Sequence, residues 1–233
     1  MRISLSLFIT AASLIPTVLS ASGNPDLQNA RDKQDRATLE RIVAEYRAVA
    51  EKQQSDGNSQ YRLALAESYS AEVAIEQKDK TKGREYAESG MRAAEKAVAL
   101  NGNSSEFNRI LGTLCGQMIS SSGLAGIKYG KCALGSVNKA IELDPKSSDA
   151  YLSHGVGNYY LPAAFGGGME LALKDFQKAI ELNPKSADAY LWLGLAMRKE
   201  NKLADARKAF AKSIELNPNR VWAKLQLEKT PAQ

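Results

Sequence analysis

The sequence predicts an all-α protein built as an α-α superhelix of helical hairpins, about four units long, with a capping helix at each end. Three observations predict it. The composition is rich in Ala, Leu, Glu and Lys, which lose least on entering a helix, and holds only seven prolines in 233 residues. Apolar residues recur at helical spacing over most of the chain. Four similar segments, "AVALNG", "AIELDP", "AIELNP" and "SIELNP", close successive stretches and end at Gly102, Pro145, Pro184 and Pro218, 43, 39 and 34 residues apart.

The first 22 residues stand outside that fold. "MRISLSLFITAASLIPTVLSAS" has one charge at Arg2, an apolar run from Ile3 to about Leu19, and small residues at Ser20, Ala21 and Ser22. This is the layout of a secretory signal peptide. The run is shorter than the roughly 20 residues of a membrane anchor and is broken by Pro16. The expected localisation is periplasmic or secreted, with no membrane insertion after cleavage. Of 31 basic and 26 acidic residues, cleavage removes Arg2. The mild positive charge is spread along the chain without a basic, aromatic-laced run, which argues against nucleic acid.

Residues 23–55 are expected to form an N-terminal capping helix, with Leu39, Ile42, Val43, Tyr46 and Val49 on one apolar stripe. The repeat domain spans 56–220, divided at 56–104, 105–147, 148–186 and 187–220. The last unit, "ADAYLWLGLAMRKENKLADARKAFAKSIELNPNR", places Tyr190, Leu193, Gly194 and Met197 on one helix face. "KENK" breaks the pattern, and Ala206, Phe210, Ser213, Ile214 and Leu216 form the face of a second helix. Tyr151, Gly155, Ala172, Phe176, Ala179 and Pro184 repeat the design with five extra residues; Leu111, Gly112, Ala133, Ala140 and Pro145 repeat it with nine. These insertions fall between the two helices of a unit. The first unit is the most degenerate, with Gly102 where the others hold proline, and its insertion is expected near Lys78–Gly83. Residues 221–233 form a C-terminal capping helix and tail carrying Val221, Trp222 and Leu225.

A 34-residue helix–turn–helix with Tyr190, Leu193, Gly194, Ala206, Phe210, Ser213 and Pro218 at these spacings resembles the tetratricopeptide repeat. The resemblance implies a concave face lined by the first helix of each unit that binds a protein or peptide. Carried over position by position, that face holds Arg109, Thr113 and Gln117, then Leu152, Val156 and Tyr159, then Leu191, Leu195, Arg198 and Lys199. The carboxylate clamp of some relatives is missing, because its places hold Arg109, Thr113, Ser153, Asp188 and Trp192, and Asp188 would repel a carboxylate. "LAGIKYGKCALGSVNKAIELDP" and "LPAAFGGGMELALKDF" resemble exported bacterial members with enlarged turns inside their repeats, some of which serve solute uptake. This supplies the alternative, a periplasmic accessory protein that holds a small hydrophobic ligand for a transport system.

No set of residues converges on catalysis, so the protein is expected to be a non-catalytic scaffold without cofactor or metal. His154 is the sole histidine and occupies the place of Leu193 in the next unit, where it packs between helices. Cys115 and Cys132, 17 residues apart, lie at similar height on an antiparallel helix pair. A disulfide bracing that hairpin is the preferred reading, against two buried thiols. The glycines of "FGGGMELAL" read as a wide turn, since no strand precedes them, no phosphate-binding Lys or Ser follows, and Glu170 adds negative charge. The charge clusters Gln77–Glu85 and Arg198–Lys202 read as solvated helix ends. Self-association is compatible with the sequence.

Overall fold

The computed structural model describes residues 24–120 and 125–232. Residues 1–22, read from the sequence as a signal peptide, lie outside the described residues. The described chain forms eleven α-helices and one 3-10 turn: α1 (Pro25–Lys33), α2 (Arg36–Lys52), α3 (Gly57–Glu76), α4 (Lys80–Leu100), α5 (Ser105–Ser120), α6 (Ala125–Leu143), α7 (Ser148–Tyr160), the 3-10 turn Ala163–Phe165, α8 (Met169–Leu182), α9 (Ala187–Lys199), α10 (Leu203–Leu216) and α11 (Val221–Glu228). Consecutive hairpins α3/α4, α5/α6, α7/α8 and α9/α10 stack as a right-handed α-α superhelix. Among the described residues the fold class is the one the sequence predicts.

Local chemistry sets the helix starts. Asp35, Asp56, Asp79, Ser147 and Ser186 each accept a hydrogen bond from a backbone N–H of the following first turn. Pro25 occupies the first turn of α1, where its missing N–H costs nothing. The N-terminal region differs from the expected single helix. Gln34 adopts a left-handed conformation (φ 57°) and Asp35 starts a second helix, so α1 and α2 form a hairpin of their own.

The extra residues of the units do not all widen turns. Helices α9 and α10 have 13 and 14 residues, whereas α5 and α6 have 16 and 19. Most of the nine-residue insertion therefore lengthens helices. In the first unit, Lys80–Gly83 belong to α4 and the connection is a tight turn at Gln77–Asp79, with Lys78 left-handed (φ 65°). Between α7 and α8 the insertion does form a wide connection. Gly166 and Gly168 have φ of 85° and 122°, and a Cβ on Gly167 would collide with the Leu161 carbonyl oxygen. Gly168 N–H donates to the Asn158 carbonyl (3.0 Å) and closes the end of α7. These backbone demands account for the triplet without a ligand.

Close packing repeats from unit to unit. A Cβ on Gly155 would meet the Phe176 ring at 2.6 Å, and one on Gly194 would meet the Phe210 ring at the same distance. Phe176 and Phe210 are fully buried. The first hairpin also relies on glycine: a Cβ on Gly83 of α4 would meet Ile75 Cγ1 of α3 at 2.9 Å, and one on Gly90 would meet Glu67 Cβ at 2.8 Å. Cys115 and Cys132 are joined by a disulfide between α5 and α6, with Cα atoms 6.0 Å apart.

Candidate ligand cavity and the ring that encloses it

The inner helices α3, α5, α7 and α9 turn one face each toward a cavity of about 560 Å³, and α11 adds a wall. Helical periodicity sets the lining: Ser68, Glu72 and Glu76 on α3, Arg109, Thr113 and Gln117 on α5, and Leu152, Val156 and Tyr160 on α7 are each four residues apart. Trp192 of α9 and Trp222 of α11 close the aromatic end, with ring centroids 5.6 Å apart. Ile110, Leu134, Val137, Leu152 and Val156 make the wall mainly apolar.

The polar groups of the wall are largely spent on one another. Gln117 Nε2 donates to the Ser68 carbonyl (3.0 Å), and Thr113 and Ser153 share a hydroxyl contact (3.2 Å). Arg109 forms a fork on Glu106 (2.8 Å). Burial works against the Arg109 charge, but the Glu106 carboxylate outweighs it and holds the guanidinium pKa above its ordinary value. His154 lines the cavity and bonds through Nδ1 to Asp175 Oδ2 (2.8 Å), which also accepts from Asn158 Nδ2 (2.8 Å). It thus ties α7 to α8, the packing position expected of it.

The two ends of the superhelix meet. Arg220, in the connection between α10 and α11 and fully buried, pairs with Glu72 (2.6 Å), Glu76 and Asp188 (3.3 Å). Arg31 of α1 pairs with Asp188 (2.8 Å) and Asp32 (2.6 Å) and faces Glu72 at 3.8 Å. Asn217 donates to Asp32 (2.7 Å) across 185 residues of sequence. Arg31 also lies over the Tyr69 ring, and Arg220 over Trp222. The stack is therefore curled into a ring around the cavity.

Five of the ten expected concave-face residues line this cavity: Arg109, Thr113, Gln117, Leu152 and Val156. The other five do not. Leu191 and Leu195 are buried in a core with Ala206, Phe210 and Ala223. Arg198 donates to Gln226 Oε1 (2.7 Å). Lys199 Nζ donates to the Tyr159 carbonyl (3.2 Å) and lies 4.4 Å from the Tyr159 ring centroid, while Tyr159 packs edge-on against Trp192. The physical reason is α11, which covers the inner face of the last unit. Asp188, read from sequence as a repulsive group, is instead a partner of both clasp arginines. The clasp itself escaped sequence reasoning. Its members are isolated charges on separate helices, and only a lone Arg220 just before an apolar helix hints that its charge needs a buried partner.

Comparison with known proteins places this architecture. A family model described as regulator of microtubule dynamics protein 1-3 matches residues 26–164. Models described as TPR repeat and tetratricopeptide repeat match residues 166–200 and 187–220. No curated protein matches the chain. Among solved structures, TTC0263, a thermophilic TPR protein of Thermus thermophilus, is similar at 13% identity with a TM-score of 0.62, covering 87% of this chain and 98% of that one. The pilF protein of Pseudomonas aeruginosa is similar at 18% identity with a TM-score of 0.51, covering 75% of this chain and 67% of that one. These likenesses show the fold, whose repeats commonly serve as protein-interaction scaffolds. The first family match spans more than half of the chain, so the protein belongs to the regulator of microtubule dynamics protein 1-3 family, with tetratricopeptide repeats in its C-terminal part.

Proposed function

We propose that the protein is an exported, non-catalytic scaffold that binds an apolar segment of a protein or peptide partner in its inner cavity. The observation that carries the proposal is the cavity: an apolar wall with two tryptophans, assembled from one face of every inner helix. The amphipathic lining suits a partner that buries a few large side chains and hydrogen-bonds at the rim. The leader-like segment 1–22 and the Cys115–Cys132 disulfide support an oxidising compartment, periplasmic or secreted.

One observation favours a second reading, a small hydrophobic ligand held for a transport system. The volume of about 560 Å³ lies within the range of small-molecule sites, and the ring encloses it on several sides. A pull-down from the native envelope fraction, paired with native mass spectrometry, separates the two. A retained polypeptide supports the scaffold, whereas a bound small molecule without any protein partner supports the second reading.

Gly116→Leu supplies the control. A Cβ at Gly116 meets nothing within 4 Å and points at the cavity lining, so a leucine there fills ligand space without disturbing a helix contact. The expected result is loss of the captured ligand with unchanged thermal stability. Retention of the ligand by the variant would place binding elsewhere.

A further inference from the structure

The ring is shut by six charged side chains from four separate parts of the chain. Arg31 and Asp32 come from α1, Glu72 and Glu76 from α3, Asp188 from α9, and Arg220 from the α10–α11 connection. Four carboxylates face two guanidinium groups, so the cluster has an excess of negative charge in a mostly buried place. Such a cluster is poorly suited to be a passive staple, because desolvation offsets much of the attraction between its members. It sits instead where the two ends of the superhelix can part.

We propose that this cluster is a latch on the cavity, closing on acidification and loosening as the pH rises, and that its opening parts the end of the ring formed by α9, α10 and α11 from α1 and α3 to admit or release the ligand. The latch regulates the site assigned above and in that respect rests on that reading. Trp222 and Leu225 of α11 form one wall of the cavity, and Arg220 immediately precedes α11 and stacks over Trp222. Arg198 bonded to Gln226 (2.7 Å) and the buried Ala223 keep α11 on the last hairpin, so releasing Arg220 from Glu72 and Glu76 lets that wall move away from α3 together with α9 and α10.

The direction follows from the charge imbalance. Glu72 faces Arg31 on α1, Tyr69 and Glu76 on its own helix, Tyr160 on α7, Asp188 on α9, and Arg220. Burial pushes its carboxyl up to about 7; Arg31 and Arg220 work against this, and Glu76 and Asp188 add to it. In the opened ring Glu72 would be solvated and return to its ordinary value of 4.5. The closed ring thus holds a proton that the open ring does not between these two values. Its stability is greatest below the open-state value and is lost as pH rises through about 7. Protonating Glu72 removes one of the two excess negative charges and leaves Arg220 bonded to Glu76 and Asp188. Linkage over this window, discounted for the part of Glu72 that faces the cavity, shifts the open–closed ratio roughly tenfold between pH 5.5 and 8.

The chain holds two tryptophans, Trp192 and Trp222, and both line the cavity, so intrinsic fluorescence reports on the latch without labels. Acrylamide quenching is measured from pH 5.5 to 8.0, together with the release rate of the uncharged dye N-phenyl-1-naphthylamine. Quenching and dye release are expected to rise several-fold toward pH 8 while the far-ultraviolet dichroism stays constant. Glu72→Gln, which keeps the shape and the hydrogen bond to Arg220 without the charge, is expected to abolish the pH response and stay closed. Equal quenching of the wild type at both pH values overturns the latch, as does a pH response that survives Glu72→Gln. A pH response in quenching without binding of dye or peptide leaves the latch standing and refutes the ligand site. Binding of dye or peptide with pH-independent quenching and release does the reverse.

Discussion

Two glycines on one helical hairpin should respond with opposite signs to the same substitution. Gly112 of α5 lies at the crossing with α6. A Cβ there would stand 2.5 Å from Val137 Cγ2, 2.8 Å from the Ala133 carbonyl oxygen and 3.0 Å from the Val137 backbone nitrogen. Carbon atoms in favourable contact sit about 3.5–4.0 Å apart, so the helices would have to separate by roughly an ångström. Two of the obstructing atoms are backbone, and the Cys115–Cys132 bridge three residues along α5 holds the pair together. Overpacking of this kind costs about 1–3 kcal/mol, against about 1 kcal/mol gained by replacing glycine inside a helix. Because backbone cannot rotate away, Gly112→Ala is expected to destabilise by about 1–2 kcal/mol. Gly135 of α6 is exposed, and an added Cβ meets nothing within 4 Å. Gly135→Ala keeps only the helix term and should stabilise by about 0.5–1 kcal/mol. Urea denaturation followed by circular dichroism at 222 nm measures both. If Gly112→Ala proves as stable as the wild type, the inferred close crossing of α5 and α6 is wrong.

Other consequences can be measured in the same way. Reducing the disulfide, or the double variant Cys115→Ala with Cys132→Ala, should cost about 3 kcal/mol by the loop-entropy relation for a 17-residue separation, read as a lower urea midpoint. Arg220→Ala leaves Glu72 and Glu76 without their buried cation and should cost about 3–5 kcal/mol; an unchanged melting temperature would show that the ring is not held by this residue. Alanine at Gly166 and Gly168 must adopt φ of 85° and 122°, so the pair should lower stability by about 1 kcal/mol or more per site, with partner binding retained after refolding. Binding lost at unchanged stability would instead make these glycines part of the site.

The repeats were legible in the sequence because their determinants are local. Periodic apolar faces, Asp and Ser at helix starts, prolines after helix ends and the Gly–Phe pairs at 155/176 and 194/210 act within one hairpin or between neighbours. The same locality made Arg109, Thr113, Gln117, Leu152 and Val156 readable as inner-face positions, since four-residue spacing on the first helix of a unit suffices to place them. The insertion between α7 and α8 lies where the sequence places it, but those of the first two units lengthen helices, because residues such as Lys128–Lys131 and Lys80–Gly83 can extend a helix as readily as widen a turn. The break at Gln34 was hidden for a similar reason: a left-handed glutamine has no composition signal, whereas the glycines at 166 and 168 do.

Curvature was beyond sequence reasoning. A small rotation per hairpin, accumulated over the stack, decides whether the two ends part or meet. No single residue encodes that sum. Only the tertiary structure brings Arg31 and Glu72 against Asp188 and Arg220, lays α11 over Leu191 and Leu195, and turns an open concave face into a lined cavity. Taken alone, the sequence determined an all-helical repeat protein and half of its inner lining. Electrostatic pairs between residues more than 140 positions apart, and the docking of the terminal helix on the last hairpin, decided the rest.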